Sequence, residues 1–205
     1  MKKGNSMFNH PTNCNGRFWR AAVLLATAAS ILCAQDIPGW LKAGSRPQEY
    51  TMGADPTVVI TGKASGFIRG NPDADTKGFG TYMQMFGAKD YLGKRIRFSA
   101  LVKTEGVESW SSLWMRVDGD RKPIAFDNMA KRQIKGTQNW TRHSIVLDVD
   151  STQATAIAFG LMLSGKGTVW IDDVRFEVVG NEVAPTDLMK EQPVGPQNLS
   201  FEKKQ

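Results

Sequence analysis

GTVWIDDVRFEVV, Gly167 to Val179, is built from residues that suit a pleated, half-buried surface. Two adjacent aspartates, Asp172 and Asp173, interrupt it. A β-bulge at this point, with the carboxylates bonded to backbone amides, would accommodate them inside a strand. The stretch therefore reads as a strand in which the pair either flanks such a bulge or turns a carboxylate toward an ion at the sheet edge, and its neighbours decide the kind of sheet it joins.

The sequence upstream reads as short strands separated by turns. TVVITG from Thr57, GFGTYMQMF from Gly78 to Phe86 and RIRFSALVKT from Arg95 to Thr104 come first. A helical turn is expected in GAKDYLGKR. In the third run Ile96, Phe98, Ala100 and Val102 share one face. In SSLWMRVDG, Leu113, Met115 and Val117 oppose Trp114, Arg116 and Asp118. WTRHSIVLDV and ATAIAFGLMLSG follow, with VDGDRKP, IKGTQN and LSGKG as turns. No run beyond Gln35 carries a helical apolar stripe of 12 or more residues. The expectation is an all-β chain, a single sandwich of two antiparallel sheets. Its core would hold Phe98, Leu113, Met115, Ile145, Leu147, Ile157, Phe159 and Phe176. Periodicity alone leaves immunoglobulin-like and jelly-roll sandwiches undivided.

The net charge of +6 is concentrated at the start. Lys2, Lys3, Arg17 and Arg20 precede residue 35, and no acidic residue does. Of 26 basic residues 22 remain beyond them against 20 acidic ones, too small an excess to wrap a polyanion, so no nucleic-acid partner is expected. Arg17 and Arg20 lead into AAVLLATAASILCA, Ala21 to Ala34. That run is short of the roughly 20 residues of a membrane span and suits a secretory signal cut after Ala34. Export to the periplasm or outside is expected, with no integral membrane domain after removal. Lipidation at Cys33 is the weaker reading, since SIL before it is a poor lipoprotein signal. Cys14 and Cys33 both precede the cut, so the mature chain would have no disulfide and no thiol chemistry. Beyond Gly180, three prolines mark a linker or strap, and NLSFEKK offers a short final strand. The expected division is a leader over 1–34, a sandwich over 35–180, a strap over 181–197 and a terminal strand over 198–205.

GTVWIDDVRFEVVG resembles the last strand of the galactose-binding-like jelly rolls, a group that includes several families of carbohydrate-binding modules. GFGTYMQMF followed by YLGKRIRFSALVKT, then SLWMRVDG and NWTRHSIVLDV, is similar to their consecutive strands. The resemblance covers about Gly39 to Gly180 and extends to bacterial domains found alone or attached to hydrolases. It implies a structural calcium held by Asp173 of the DDV element and by the glutamate of an opening NxxFE element; here that would be Glu202. Ca²⁺ takes six to eight oxygens at about 2.3–2.6 Å. The NxxFE match, Asn198 to Glu202, stands at the wrong end of the chain. It would fold back to complete the sheet, complete a neighbour's sheet in a homodimer, or begin a further domain.

A sugar site needs aromatic faces and fixed polar groups. Five tryptophans follow residue 35, and Trp40, Trp140 and Trp170 are expected in packing. Trp114, with Arg116 on its face, is the candidate ligand platform. Tyr82 and Gln84 would add a ring and an amide, Trp110 would grip from the loop GVESWSS, and His143 is a further candidate. Asp127, Asn128, Lys131 and Arg132 form a polar connection with recognition or ordinary solvation as its role. Glu105, Glu108, Asp118, Asp120 and Asp127 fall in turns, and adjacent His143 and Ser144 point to opposite strand faces, so no catalytic set emerges. The expected function is a secreted, non-catalytic module binding an oligosaccharide or polysaccharide. The alternative is a structural or protein-interaction domain of the cell envelope.

Overall fold

The computed structural model describes residues 37–189 and 199–200. Among them are nine strands: β1 (Leu41–Gly44), β2 (Tyr50–Asp55), β3 (Ser65–Gly70), β4 (Gly80–Gly87), β5 (Arg95–Asp118), β6 (Pro123–Asp127), β7 (Ile134–Asp148), β8 (Ala156–Ser164) and β9 (Thr168–Val179). Two 3-10 turns, Pro47–Glu49 and Lys89–Tyr91, complete the elements. Among the described residues no helix is long and apolar enough to cross a membrane.

β5 belongs to both layers of the sandwich. Its first half pairs with β7 and β9, and β9 continues through β3 to β2. Its second half pairs with β8 and β6, and β8 continues through β4 to β1. All pairs are antiparallel. The expected loop GVESWSS is therefore strand, carrying the chain from one layer to the other. Register shifts after Val102, Thr104 and Val107 along the β7 side accompany that passage. IKGTQN likewise lies inside β7, where Gly136 takes φ 70°.

The interior holds Phe98, Leu113, Met115, Ile145, Leu147, Ile157 and Phe159, with Phe176 half-buried against them. Phe98 stacks on Phe176 at 5.3 Å between ring centres, and Phe159 meets Phe176 edge-on at 4.6 Å. Trp40 closes one side, 5.1 Å from the Tyr82 ring.

The opening stretch has its bulge. Ser99 pairs with Arg175 and Leu101 with Asp172, so Asp173 and Val174 stand opposite the single residue Ala100. Asp173 takes φ 46°, a left-handed conformation that aspartate tolerates better than most side chains. Asp172 turns to the loop 56–64 between β2 and β3. Its carboxylate accepts from the Ile60 amide at 2.7 Å, the Thr61 amide at 3.0 Å and the Thr61 hydroxyl at 2.6 Å. Asp55 anchors the loop's start through Thr57 and accepts from Trp170 Nε1 at 2.8 Å. TVVITG, expected as a strand, is this loop. Its apolar residues do not share a buried face, and Ile60 is 51% exposed. The true strands on either side, YTMGAD and SGFIRG, are too glycine-rich and mixed to announce themselves.

Residues 181–189 strap the edges of β6 and β7. The Thr186 amide donates to Val146 O and the Leu188 amide to Phe126 O, while Asp187 accepts from the Phe126 amide. Two exposed strand edges are thereby partly covered. Arg95, paired with Asp148 at 2.6 Å, donates to the carbonyls of Asn181 and Val183 and fixes the strap's origin.

Gly160 sets the spacing of the first layer, the one formed by β1, β4, β8, β6 and the second half of β5. A Cβ there would stand 2.4 Å from Tyr82 O and 2.9 Å from Met83 Cα, both backbone atoms of β4. Gly160→Ala must push β8 from β4, and a loss of about 1–3 kcal/mol is expected in thermal unfolding. An unchanged melting temperature would show that β4 yields freely.

Candidate functional site

The face of the first layer turned away from the core carries a second apolar cluster. Trp114, Ala158 and Met162 are buried there, with Phe79, Met83, Trp110 and Phe126 half-buried around them. Alternation explains the set: Leu113, Met115 and Val117 point inward from β5, which leaves Trp110, Trp114 and Arg116 outward. β8 is apolar on both faces, so Ala158 and Met162 join them.

Between these side chains runs an open groove of about 380 Å³ lined by Ala43, Gly44, Phe79, Thr81, Met83, Trp114, Arg116, Phe126 and Met162. A second hollow of about 430 Å³ shares Arg116 and Phe126 with it and continues to Lys122, Pro123 and Met189. The first volume lies within the usual size of a small-ligand site, about 300–1,000 Å³. Its floor is fixed. Trp114 donates from Nε1 to the Thr81 hydroxyl at 2.8 Å, and that hydroxyl donates to Leu161 O at 2.8 Å. Gly160 pairs with both Met83 and Trp114 and puts no side chain between them. At one end Arg116 is held by Asp118, with Nε 2.7 Å from Oδ1 and Nη2 3.0 Å from Oδ2.

The groove brings together Trp114 and Arg116, with Trp110 beside them, its ring 6.5 Å from Phe79. Trp114 forms floor rather than platform, since only 4% of it is exposed. Three candidates lie elsewhere. Tyr82 is inside the core, and its hydroxyl accepts from the Ile37 amide at 3.3 Å. Gln84 follows it on the inner face, its amide beside Gly39. The strand period in GFGTYMQMF was legible but its phase was not, because Tyr82 and Phe86 compete with Met83 and Met85 for the interior, and the aromatic pair prevails. His143 lies in the other layer opposite Ala100. Burial, and next the charge of Arg132, push its pKa down. Nε2 is sealed from solvent without a hydrogen-bond partner among the described residues. Asp127, expected in an open connection, is buried, accepts from the Met129 amide and pairs with Arg132.

The surroundings of Asp173 do not fit a calcium ion. Its carboxylate takes Arg175 Nε at 3.0 Å and Nη2 at 2.7 Å, and also pairs with Arg142. Arg175 first, then Arg142, holds the carboxyl below its ordinary range. A divalent cation would have to displace two guanidinium groups. Glu202, the other expected ligand, lies outside the described residues, as do all of 1–34. Met83, Met162, Phe79 and Phe126 are the groove residues that sequence reading missed. A glycine in the middle of a strand apolar on both faces, FGLM around Gly160, was the available signal.

Comparison with solved structures decides the fold. The CBM22-1 xylan-binding domain from Paenibacillus barcinonensis Xyn10C superposes with a TM-score of 0.50 at 14% identity, over 70% of this chain and 88% of that one. The enzymatically active domain of bacteriophage CBA120 tailspike protein 4 gives a TM-score of 0.53 at 12% identity, over 70% of this chain and 20% of that one. The fold is an antiparallel β-sandwich of the jelly-roll kind that these structures have. Among curated proteins, an uncharacterized HTH-type transcriptional regulator of Bacillus subtilis (strain 168), YbfP, is 46% identical over 170 residues. The match takes in 80% of this chain, which spans only 56% of that relative's length. No protein-family model matches the chain.

Proposed function

We propose that the domain is a non-catalytic module that binds carbohydrate on the outer face of the first layer. The observation that carries this reading is a preformed groove, with a pinned tryptophan floor and one arginine, on a fold shared with carbohydrate-binding modules. The C–H face of a sugar ring packs on such a floor, and half-buried Phe79, Phe126 and Met83 supply its walls. Among the described residues that line the groove there is no Asp or Glu, which supports binding rather than glycoside hydrolysis by paired carboxylates. Affinity electrophoresis against soluble polysaccharides tests the reading. Met83→Lys, which fills the groove from its wall, is expected to lower retardation at least about tenfold if most contacts are apolar. Val178→Lys, at an exposed site on β9, serves as the control. Equal retardation of both variants and the wild type would place binding elsewhere.

The leader-like start supports export of the module. The name of the Bacillus subtilis relative favours a second setting, a ligand-sensing part of a regulator-type protein. Fusing residues 1–40 to an enzyme active only after export separates the two: activity supports secretion, and its absence supports the regulator setting.

A further inference from the structure

We infer that the groove selects carbohydrate bearing a carboxylate, a uronate-type sugar, with the acid group at the end formed by Arg116 and Lys122. The inference rests on the carbohydrate reading and deepens it. Hydroxyl partners are scarce along the groove. Thr81 lines it, but its hydroxyl already donates to Leu161 O and accepts from Trp114. The remaining wall is methionine, phenylalanine, alanine and glycine. Any sugar bound here keeps most of its hydroxyls toward solvent, so the groove can select one only through a group bonded at its polar end.

The polar capacity of the groove is instead cationic and lies at one end. Arg116 and Lys122 both line the continuation beside Phe126 and Met189, and no acidic side chain lines either hollow. Asp118 accepts a hydrogen bond from Arg116 Nη2 and lies within ion-pair range of Nε, which orients the guanidinium, and Nη1 makes no hydrogen bond among the described residues. Lys122 is exposed and makes no ion pair among the described residues. A planar guanidinium held on one edge, with an ammonium nearby, matches a carboxylate, and such charge-assisted bonds are about twice as strong as neutral ones. The apolar floor then receives the C–H face of the ring while the acid fixes its direction along the groove.

The test uses the full chain and a matched pair of probes: a xylo-oligosaccharide bearing one glucuronate, and the same molecule after reduction of its carboxyl to an alcohol. Titration calorimetry is expected to show the acid form binding about tenfold more tightly or better at low salt. That preference should shrink in about 1 M NaCl, where the screening length falls to roughly 3 Å. It should also collapse in Lys122→Gln and in Arg116→Gln, with near-ultraviolet circular dichroism confirming that each variant is folded. Equal binding of the two forms overturns acid selection and leaves the carbohydrate reading standing. An acid preference that survives both variants overturns the placement. If neither probe binds while a neutral polysaccharide does, selection is again overturned. If no glycan of any kind binds, the underlying reading falls with it.

Discussion

Trp114→Ala is expected to cost about 3–5 kcal/mol of stability, the usual range for removing a large aromatic from a packed site. The side chain is 4% exposed and forms a cluster with Ala158 and Met162. Its removal opens a cavity that Gly160, directly opposite, has no side chain to fill. For a chain of this length the loss corresponds to about 6–20 °C in melting temperature. Trp114→Phe keeps most of the ring but gives up the Nε1 bond to Thr81, and about 1 kcal/mol is the expected cost. Urea unfolding followed by far-ultraviolet circular dichroism compares them. A Trp114→Ala protein as stable as the wild type would mean that the indole is an exposed platform after all. The Phe variant is also the better probe of binding, because it changes the floor without collapsing it.

What the sequence yielded follows from what alternation can and cannot report. In SSLWMRVDG the inward residues Leu113, Met115 and Val117 are apolar and the outward series ends in Arg116 and Asp118, so both period and phase were readable. In GFGTYMQMF both phases are apolar, and only packing against Trp40 within the core selects Tyr82 for the interior. The groove suffers from the same ambiguity. A strand such as β8, apolar on both faces, looks like ordinary core until its outer side is seen to line a groove among the described residues. Strand boundaries failed where the backbone bends without breaking its ladder, as at GVESWSS. Glycine and serine read there as a loop, although long-range pairing with β7 and β8 holds the segment in strand form. The loop 56–64 is the reverse case: its β-branched residues lie outside any sheet because two aspartates, Asp55 at its start and the distant Asp172, satisfy its backbone.

Those aspartates carry the second large effect. Asp172→Ala is expected to destabilise the fold by about 2–4 kcal/mol, because the Ile60 and Thr61 amides and the Thr61 hydroxyl lose their common acceptor while partly buried. Asp172→Asn keeps one acceptor oxygen but turns an amino group toward donors, so a smaller loss is expected. The pH dependence follows from the pKa direction. Burial alone would raise the Asp172 carboxyl, but bonds from Thr61, Ile60 and the Asp173 amide outweigh it and hold the folded value below the ordinary one. A carboxyl depressed by folding stabilises fully above its unfolded value, about 3.9, and loses that contribution as pH falls through the folded value. The stability gap between wild type and Asp172→Asn should therefore be wide at pH 7 and narrow toward pH 3. Asp55 is lowered in the same way, burial again opposed by bonds from Thr57 and Trp170, so the Asn variant should retain part of the acid sensitivity. A gap of equal width at both pH values would mean that Asp172 acts through shape rather than charge. With a narrowing gap, the two aspartates inside the strand have separate physical tasks. Asp173 turns the backbone through the bulge and pairs with arginines, while Asp172 uses the resulting direction to tie down the loop that joins β2 to β3.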